Sequence, residues 1–345
     1  MSITVHAADF VSERRLLIET LARHLTPMSD ERRFDWLYTG SPHGRARAWV
    51  ARDDERNEVI GVGAAFPRRV HVGDREAMAW VLGDFCLDSQ YRSLGPALQL
   101  QRACLSVTES ENTAFCYDFP NASMVAVYGR MKITPTKKLL RLARPLRVDR
   151  MVREAIPVPG VQNVVSAVGN TFLKLTQSRI GRDDSLVIAS HDGRCGDEFS
   201  VLAKDLRGRF GVCAERSAEF LNWRYLDNPL GQYEFLTVRH DGRLQAYAVF
   251  TRSGEDGFLV DLFGVDDPVV IKGLVDGLAG LLEKQGVMTL SALIVQCHPW
   301  ISWLSDLGFR VREVAPLVVA YSRSVCGGVP LQDQSWFFMQ GDRDS

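Results

Sequence analysis

Residues 79–107 read AWVLGDFCLDSQYRSLGPALQLQRACLSV, and their reading decides the fold. The apolar run from Ala79 predicts a strand of about eight residues. A tight turn, Arg92-Ser93-Leu94-Gly95-Pro96-Ala97, follows, and an amphipathic helix opens at that turn. A strand that feeds a glycine turn opening a helix aims backbone N–H groups and the positive end of the helix dipole at one point. Such a point suits a phosphate.

Working outward, the chain has 345 residues, which favours two domains over one. Hydrophobic residues make up 46% and charged residues 24%, a soluble globular balance. The formal net charge of -1 argues against nucleic acid as a partner, since proteins that track phosphate backbones carry a basic surplus. Seven scattered cysteines with no C-x-x-C pair read as buried thiols of a reducing compartment, with no metal site. Acidic residues interrupt the N-terminal stretch where a signal peptide needs an apolar core, so the expected location is cytoplasmic.

Before the decisive stretch come a short strand at Ile3 to Ala7, a helix over Phe10 to Leu25, and an aromatic segment with Phe34, Trp36 and Tyr38. These rings either plug the end of a sheet or wall a cleft. From Arg45 three strands joined by charged or glycine turns predict an antiparallel meander whose third strand runs into the glycine turn. After it, Thr113 to Phe119 predicts a buried strand, and PNASMVAVYGRMKI predicts a helix with Asn121 near its N-cap. The order implies an α/β, or α+β layered, fold with a mixed, mainly antiparallel sheet flanked by helices.

Arg92, Gly95 and Ala97 fit a Gln/Arg-x-x-Gly-x-Gly/Ala turn, and Asn121 is followed seven residues later by Tyr128. This pattern resembles the GNAT superfamily of acetyl-CoA-dependent N-acyltransferases. The family's Gly-Phe pair at the end of that helix is replaced by Lys132-Ile133, and Pro96 removes one backbone donor.

Between Arg130 and Arg153 nine Lys or Arg residues face one acid, Asp149, so this segment is either a solvated basic edge or a surface for anions, an anionic membrane included. TKKLLRLARPL reads as the strand closing the first domain, and PGVQNVVSAVGNTFLKLTQSR as a helix with an apolar face. The strand–helix order then repeats, ending in HPWISWLSDLGF, where Gly308-Phe309 supplies the terminal pair. The repeat predicts tandem GNAT-like domains: a catalytic domain over residues 1–146, a helical basic linker over 147–184, a degenerate copy over 185–325 and an aromatic tail over 326–345. The copy is degenerate because Asp266-Asp267-Pro268 stands at the phosphate turn and Leu304 at the tyrosine position. Two acids there repel pyrophosphate. The tail, with Trp336, Phe337 and Gly-Asp-x-Asp, resembles two-domain proteins of surface-polysaccharide contexts.

The resemblance implies acetyl-CoA as cosubstrate and a primary amine as acceptor, small molecule or amino sugar. It implies that backbone amides of Ser93, Leu94, Gly95 and Ala97, with Arg92 and Asn121, hold the coenzyme. The Leu87 N–H would meet the oxyanion, Asp84 would take the amine proton and Tyr128 would protonate the leaving thiolate. Asp84 reads equally as a structural acid, and a tyrosine on an amphipathic helix also reads as core. Two other functions remain open: a tRNA-dependent aminoacyl transferase of cell-wall type, and a non-catalytic acyl-CoA-binding scaffold.

Overall fold

The computed structural model describes residues 2–110, 113–156, 159–176, 185–321, 331 and 334–343. Strand β1 (Ile3–Ala7) leads to helix α1 (Arg14–His24) and the single turn α2 (Glu31–Phe34), which widens into a π-turn over Asp35–Thr39. The meander is β2 (Arg47–Asp53), β3 (Glu58–Val72) and β4 (Arg75–Leu87). Helix α3 (Leu94–Leu105), strand β5 (Thr113–Asp118) and helix α4 (Ala122–Arg130) complete the first half up to β6 (Lys137–Pro145). Helix α1 starts four residues later than the periodicity predicts, because the Asp9 carboxylate holds Val11 and Ser12 in a turn.

A helical hairpin, α5 (Asp149–Ala155) and α6 (Pro159–Thr176), precedes the second half. That half runs β7 (Leu186–His191), α7 (Asp197–Asp205), β8 (Val212–Ala214), α8 (Ala218–Leu221) and the meander β9 (Glu234–His240), β10 (Arg243–Ser253), β11 (Asp256–Gly264). Helix α9 (Pro268–Lys284), strand β12 (Thr289–Val295), helix α10 (Ile301–Asp306), strand β13 (Arg310–Tyr321) and strand β14 (Trp336–Phe337) follow.

Both halves form one sheet in the order β1-β2-β3-β4-β5-β13-β6-β12-β11-β10-β9-β7. Each half keeps a meander followed by one parallel pair, β4 with β5 and β11 with β12. The strand read as closing the first half does something else. β6 pairs antiparallel with β12, while the last residues of β13 pair with β5, so the halves exchange their final strands. β6 and β13 also pair with each other at the centre. The exchange removes an edge from each half and welds the sheet, since neither β5 nor β12 is left unpaired on that side.

The aromatic tail is also central. Trp336, Phe337, Phe338 and Met339 are fully buried, with Trp336 beside Phe115 of the first half and Phe337 beside Phe210, Phe263 and Trp300 of the second. Asp342 accepts from Arg216 at 2.9 Å, and Arg216 also grips Asp261, so a buried cation sits between two acids. Phe34, Trp36 and Tyr38 are buried as well, which fits the plug reading. Among the described residues no helix is long and apolar enough to cross a membrane. The described cysteines are free thiols, five buried and Cys297 partly so; Cys326 and Asp344 lie outside the described residues.

Candidate functional site

Strands β4 and β5 pair only from Met78 to Val81 against Thr113 to Tyr117. β4 continues six residues further without β5 at its side, so the sheet opens there. A bulge between Gly83 and Cys86 turns the backbone, and Asp84 sits in it with φ of 48°, the left-handed region that Asp tolerates better than most residues. Beyond the bulge the Asp88 N–H donates to the Ile60 carbonyl at 2.7 Å. Antiparallel alternation then directs the Leu87 N–H away from β3, toward the gap that β5 leaves. The Leu87 carbonyl lies on that side too, where Arg92 Nε donates to it at 3.3 Å.

The turn to α3 is short. Asp88 caps a single 3-10 turn by accepting from the Gln90 N–H, and the Tyr91 hydroxyl donates to Asp53 at 2.6 Å, tying the turn to β2. Ser93 is the N-cap residue of α3 without a side-chain capping bond. Its own N–H donates to the Tyr91 carbonyl at 2.6 Å. In a helix starting at Leu94, the Ala97 N–H is the first to close on its own chain, on Ser93. Of the four amides read from the sequence, that of Ser93 donates within the turn, and Ala97 stands where helix geometry turns its amide back on the chain. Leu94 and Gly95 remain, in an exposed turn, and Pro96 occupies a position whose missing donor costs the helix nothing. A Cβ added at Gly95 meets nothing within 4 Å. The fold does not require glycine there, and the space in front of it is open.

The equivalent point in the second half is closed. Asp267 caps α9 by accepting from the Val269 N–H at 2.7 Å, and Asp266 accepts from Trp300 Nε1 at 2.7 Å. Leu304 is fully buried.

Asp84 and Tyr128 are both engaged by neighbours. The Asp84 carboxylate accepts from the two terminal guanidinium nitrogens of Arg33, each at 2.7 Å, and from the Tyr38 hydroxyl at 2.7 Å, all of them buried. Burial and the adjacent Asp84 push the Tyr38 phenol well above its ordinary range, so it stays a donor. Tyr128 is fully buried between α3, α4 and β5; its hydroxyl donates to Asp118 at 2.7 Å and accepts from Gln101 at 2.7 Å. Burial, then Asp118, raises this phenol well above 10. The Tyr128 hydroxyl thus points at Asp118, at the end of β5 where the strands part. Asn121 caps α4 by accepting from the Met124 N–H at 3.0 Å, which commits its carbonyl oxygen to the helix.

Arg33, Gln101 and Asp118 escaped the sequence reading, and Tyr38 entered it only as a plug or a cleft wall, without its bond to Asp84. One signal was available: Phe34-Asp35-Trp36-Leu37-Tyr38 and Leu221-Asn222-Trp223-Arg224-Tyr225 share W-x-Y, and each tyrosine bonds the acid on its half's third meander strand, Asp84 or Asp261. The tail also reaches this site. The Arg343 carbonyl accepts from Arg224 at 3.1 Å, and its guanidinium lies 5.4 Å from the Phe119 ring centre.

No protein-family model matches the sequence, and no curated protein sequence matches it significantly. Solved structures do. A probable N-acyltransferase from Enterococcus faecalis superposes with a TM-score of 0.67 at 12% identity, over 93% of this chain and 73% of that one. A GCN5-related N-acetyltransferase from Anabaena variabilis gives 0.64 at 12% identity, over 92% and 72%. N-myristoyltransferase from Saccharomyces cerevisiae, solved with bound myristoyl-CoA, gives 0.56 at 14% identity, over 94% and 80%. The chain has the fold of GNAT-type N-acyltransferases.

Proposed function

We propose that this protein is an acyl-CoA-dependent N-acyltransferase whose chemistry lies in the first half, in a division of labour with a second half that has lost the phosphate turn. One observation carries the reading: the open α3 terminus at Gly95 stands beside a bulged β4 whose Leu87 N–H faces the gap between β4 and β5, whereas α9 is stoppered by its own Asp267.

In the proposed reaction the Leu94 and Gly95 amides, with Arg92 at the turn, hold the coenzyme's pyrophosphate. The amine nitrogen attacks the thioester carbonyl, and the Leu87 N–H stabilises the oxyanion. The C–S bond then breaks. The amine's proton passes to Asp84, which must exchange one of its present donors for it, and the thiolate is protonated from the Tyr128–Asp118 pair. Acetyl-CoA is the donor the turn motif suggests, and the myristoyl-CoA-bound neighbour extends the class to longer acyl-CoAs. The acceptor is a primary amine, and we assign an amino sugar of a polysaccharide precursor on the strength of the tail resemblance.

Gly95→Glu tests the reading directly. Because a side chain there meets nothing, the variant is expected to fold normally and to lose acetyl-CoA binding by calorimetry. Unchanged affinity would remove the proposed site.

A further inference from the structure

A cavity of about 230 Å³ lies between the two halves, where the end of the β3–β4 hairpin meets α7 and the chain that follows it. Drug-sized ligands occupy roughly 300–1,000 Å³, so the occupant of this space is small. Arg69, His71 and Glu76 line it from the first half. His71 and Glu76 are direct cross-strand partners, and Arg69 lies two residues back, so all three share one face of the hairpin. The second half contributes an apolar part, Leu206, Phe210, Cys213 and Phe263, all buried. The Phe210 and Phe263 rings meet edge to face with centroids 6.0 Å apart.

The charged groups of the lining divide into paired and unpaired. Arg69 pairs with Glu215 at 3.3 Å, and Arg216 is held by Asp261 and Asp342. Glu76, Lys204 and Arg207 have no ion-pair partner among the described residues. Glu76 belongs to the first half. The two cations belong to the second, adjacent in space because the Arg207 N–H donates to the Lys204 carbonyl at 3.2 Å. His71 is close to both signs: burial lowers its pKa, Arg207 lowers it further, and Glu76 and Glu215 oppose them. Its Nδ1 is buried with no hydrogen-bond partner among the described residues.

Net charge does not select the occupant. The cations Arg69, Lys204, Arg207 and Arg216 are matched by the acids Glu76, Glu215, Asp261 and Asp342. The adjoining Asp74, Arg75, Asp205 and Arg209 are two of each sign. Separation selects it. An occupant of one sign leaves either Glu76 or the two cations uncompensated, whereas a zwitterion on a short apolar body satisfies both walls and adds no charge.

We propose that this cavity binds a small amino carboxylate with an apolar side chain, its ammonium on Glu76, its carboxylate on Lys204 and Arg207, and its side chain against Phe210 and Phe263. Glu76 lies eight residues along β4 from Asp84, roughly 26 Å at the rise of a strand. The site is therefore separate from the acyl-transfer site and does not rest on that reading.

The test is calorimetric titration of the full chain with L-phenylalanine, L-leucine, phenylacetate and phenethylamine, the last two lacking one charge each. An amino acid is expected to bind, and each single-charge analogue to bind about tenfold more weakly or worse. Glu76→Gln should weaken the amino acid by a similar factor and leave phenylacetate unchanged. Lys204→Gln/Arg207→Gln should weaken the amino acid and leave phenethylamine unchanged. All three side chains are exposed, so the thermal transition of the ligand-free variants should match wild type. Gly95→Glu should keep the amino-acid affinity. Binding of neither amino acid, phenylacetate binding as tightly as L-phenylalanine, wild-type affinity in both charge variants, or loss of amino-acid binding in Gly95→Glu overturns the proposal.

Discussion

Trp36 donates its indole N–H to the Trp223 carbonyl at 2.7 Å, and Trp223 donates its own to the Trp36 carbonyl at 2.9 Å. The rings stack with centroids 5.4 Å apart. The reciprocity mirrors the exchange of β6 and β13, because the two W-x-Y turns meet where the halves repeat each other. Each half therefore supplies the partner that the other half's indole needs.

This reciprocity makes the pair energetically coupled. Trp36→Phe and Trp223→Phe each leave one buried carbonyl without its donor, at a cost of about 1–3 kcal/mol. In a double-mutant cycle read by urea denaturation, the two effects should depart from additivity by about 0.5–3 kcal/mol. Additive losses would mean that the turns are stabilised independently.

Asp84→Asn tests whether this acid is more than a counter-ion. Asn accepts the positive φ, so the main effect is the loss of the carboxylate charge from the buried Arg33–Asp84 pair, about 3–5 kcal/mol. Arg33→Met in the same chain should recover much of that loss. The proposed base role is then read from the folded double variant: its turnover should remain abolished. Full turnover would leave Asp84 a purely structural residue.

For Tyr128→Phe the sequence alone suggests lost turnover with little effect on folding. The buried geometry adds a second expectation. Removing the hydroxyl deletes the bond it accepts from Gln101 and the one it donates to Asp118, so stability should fall by about 1–3 kcal/mol in thermal or urea unfolding. Turnover measured well below the transition should still drop if the phenol takes part in protonating the thiolate.

His43 sets an acid limb on stability. Burial, with help from the Arg68 and Arg69 charges, holds its pKa at about 2, against 6.5 when unfolded. The ring packs flat on Phe220, and Nδ1 accepts the Arg69 N–H. The native state keeps this imidazole neutral while the unfolded chain binds a proton below pH 6.5. Stability from this group is therefore complete above about pH 6.5 and declines by about 1.4 kcal/mol per unit below it, down to about pH 2. His298, buried and near Arg216, acts in the same direction. Unfolding free energies measured between pH 7 and pH 4 should fall less steeply in His43→Phe than in wild type, by about 1.4 kcal/mol per unit.

The sequence by itself determined what is local. Alternation and turn residues placed the meanders, the strand–turn–helix of residues 79–107 and the Asp267 stopper on α9, because these depend on neighbours a few residues apart. It also supplied a helix with an apolar face in the segment after Pro159, although not the exposure of that face. Tertiary structure decided the rest. An alternating strand records which face is buried and not which strand lies beside it, so Lys137–Pro145 carried no mark of its pairing with β12. Buried ion pairs join residues far apart, Arg33 with Asp84 and Arg216 with Asp261 and Asp342, and no local pattern announces them. Only folding brought the tail between the halves and set Asp84 and Tyr128 against their neighbours. Hydrogen-bond capacity is exhausted by whichever partners the fold brings within reach.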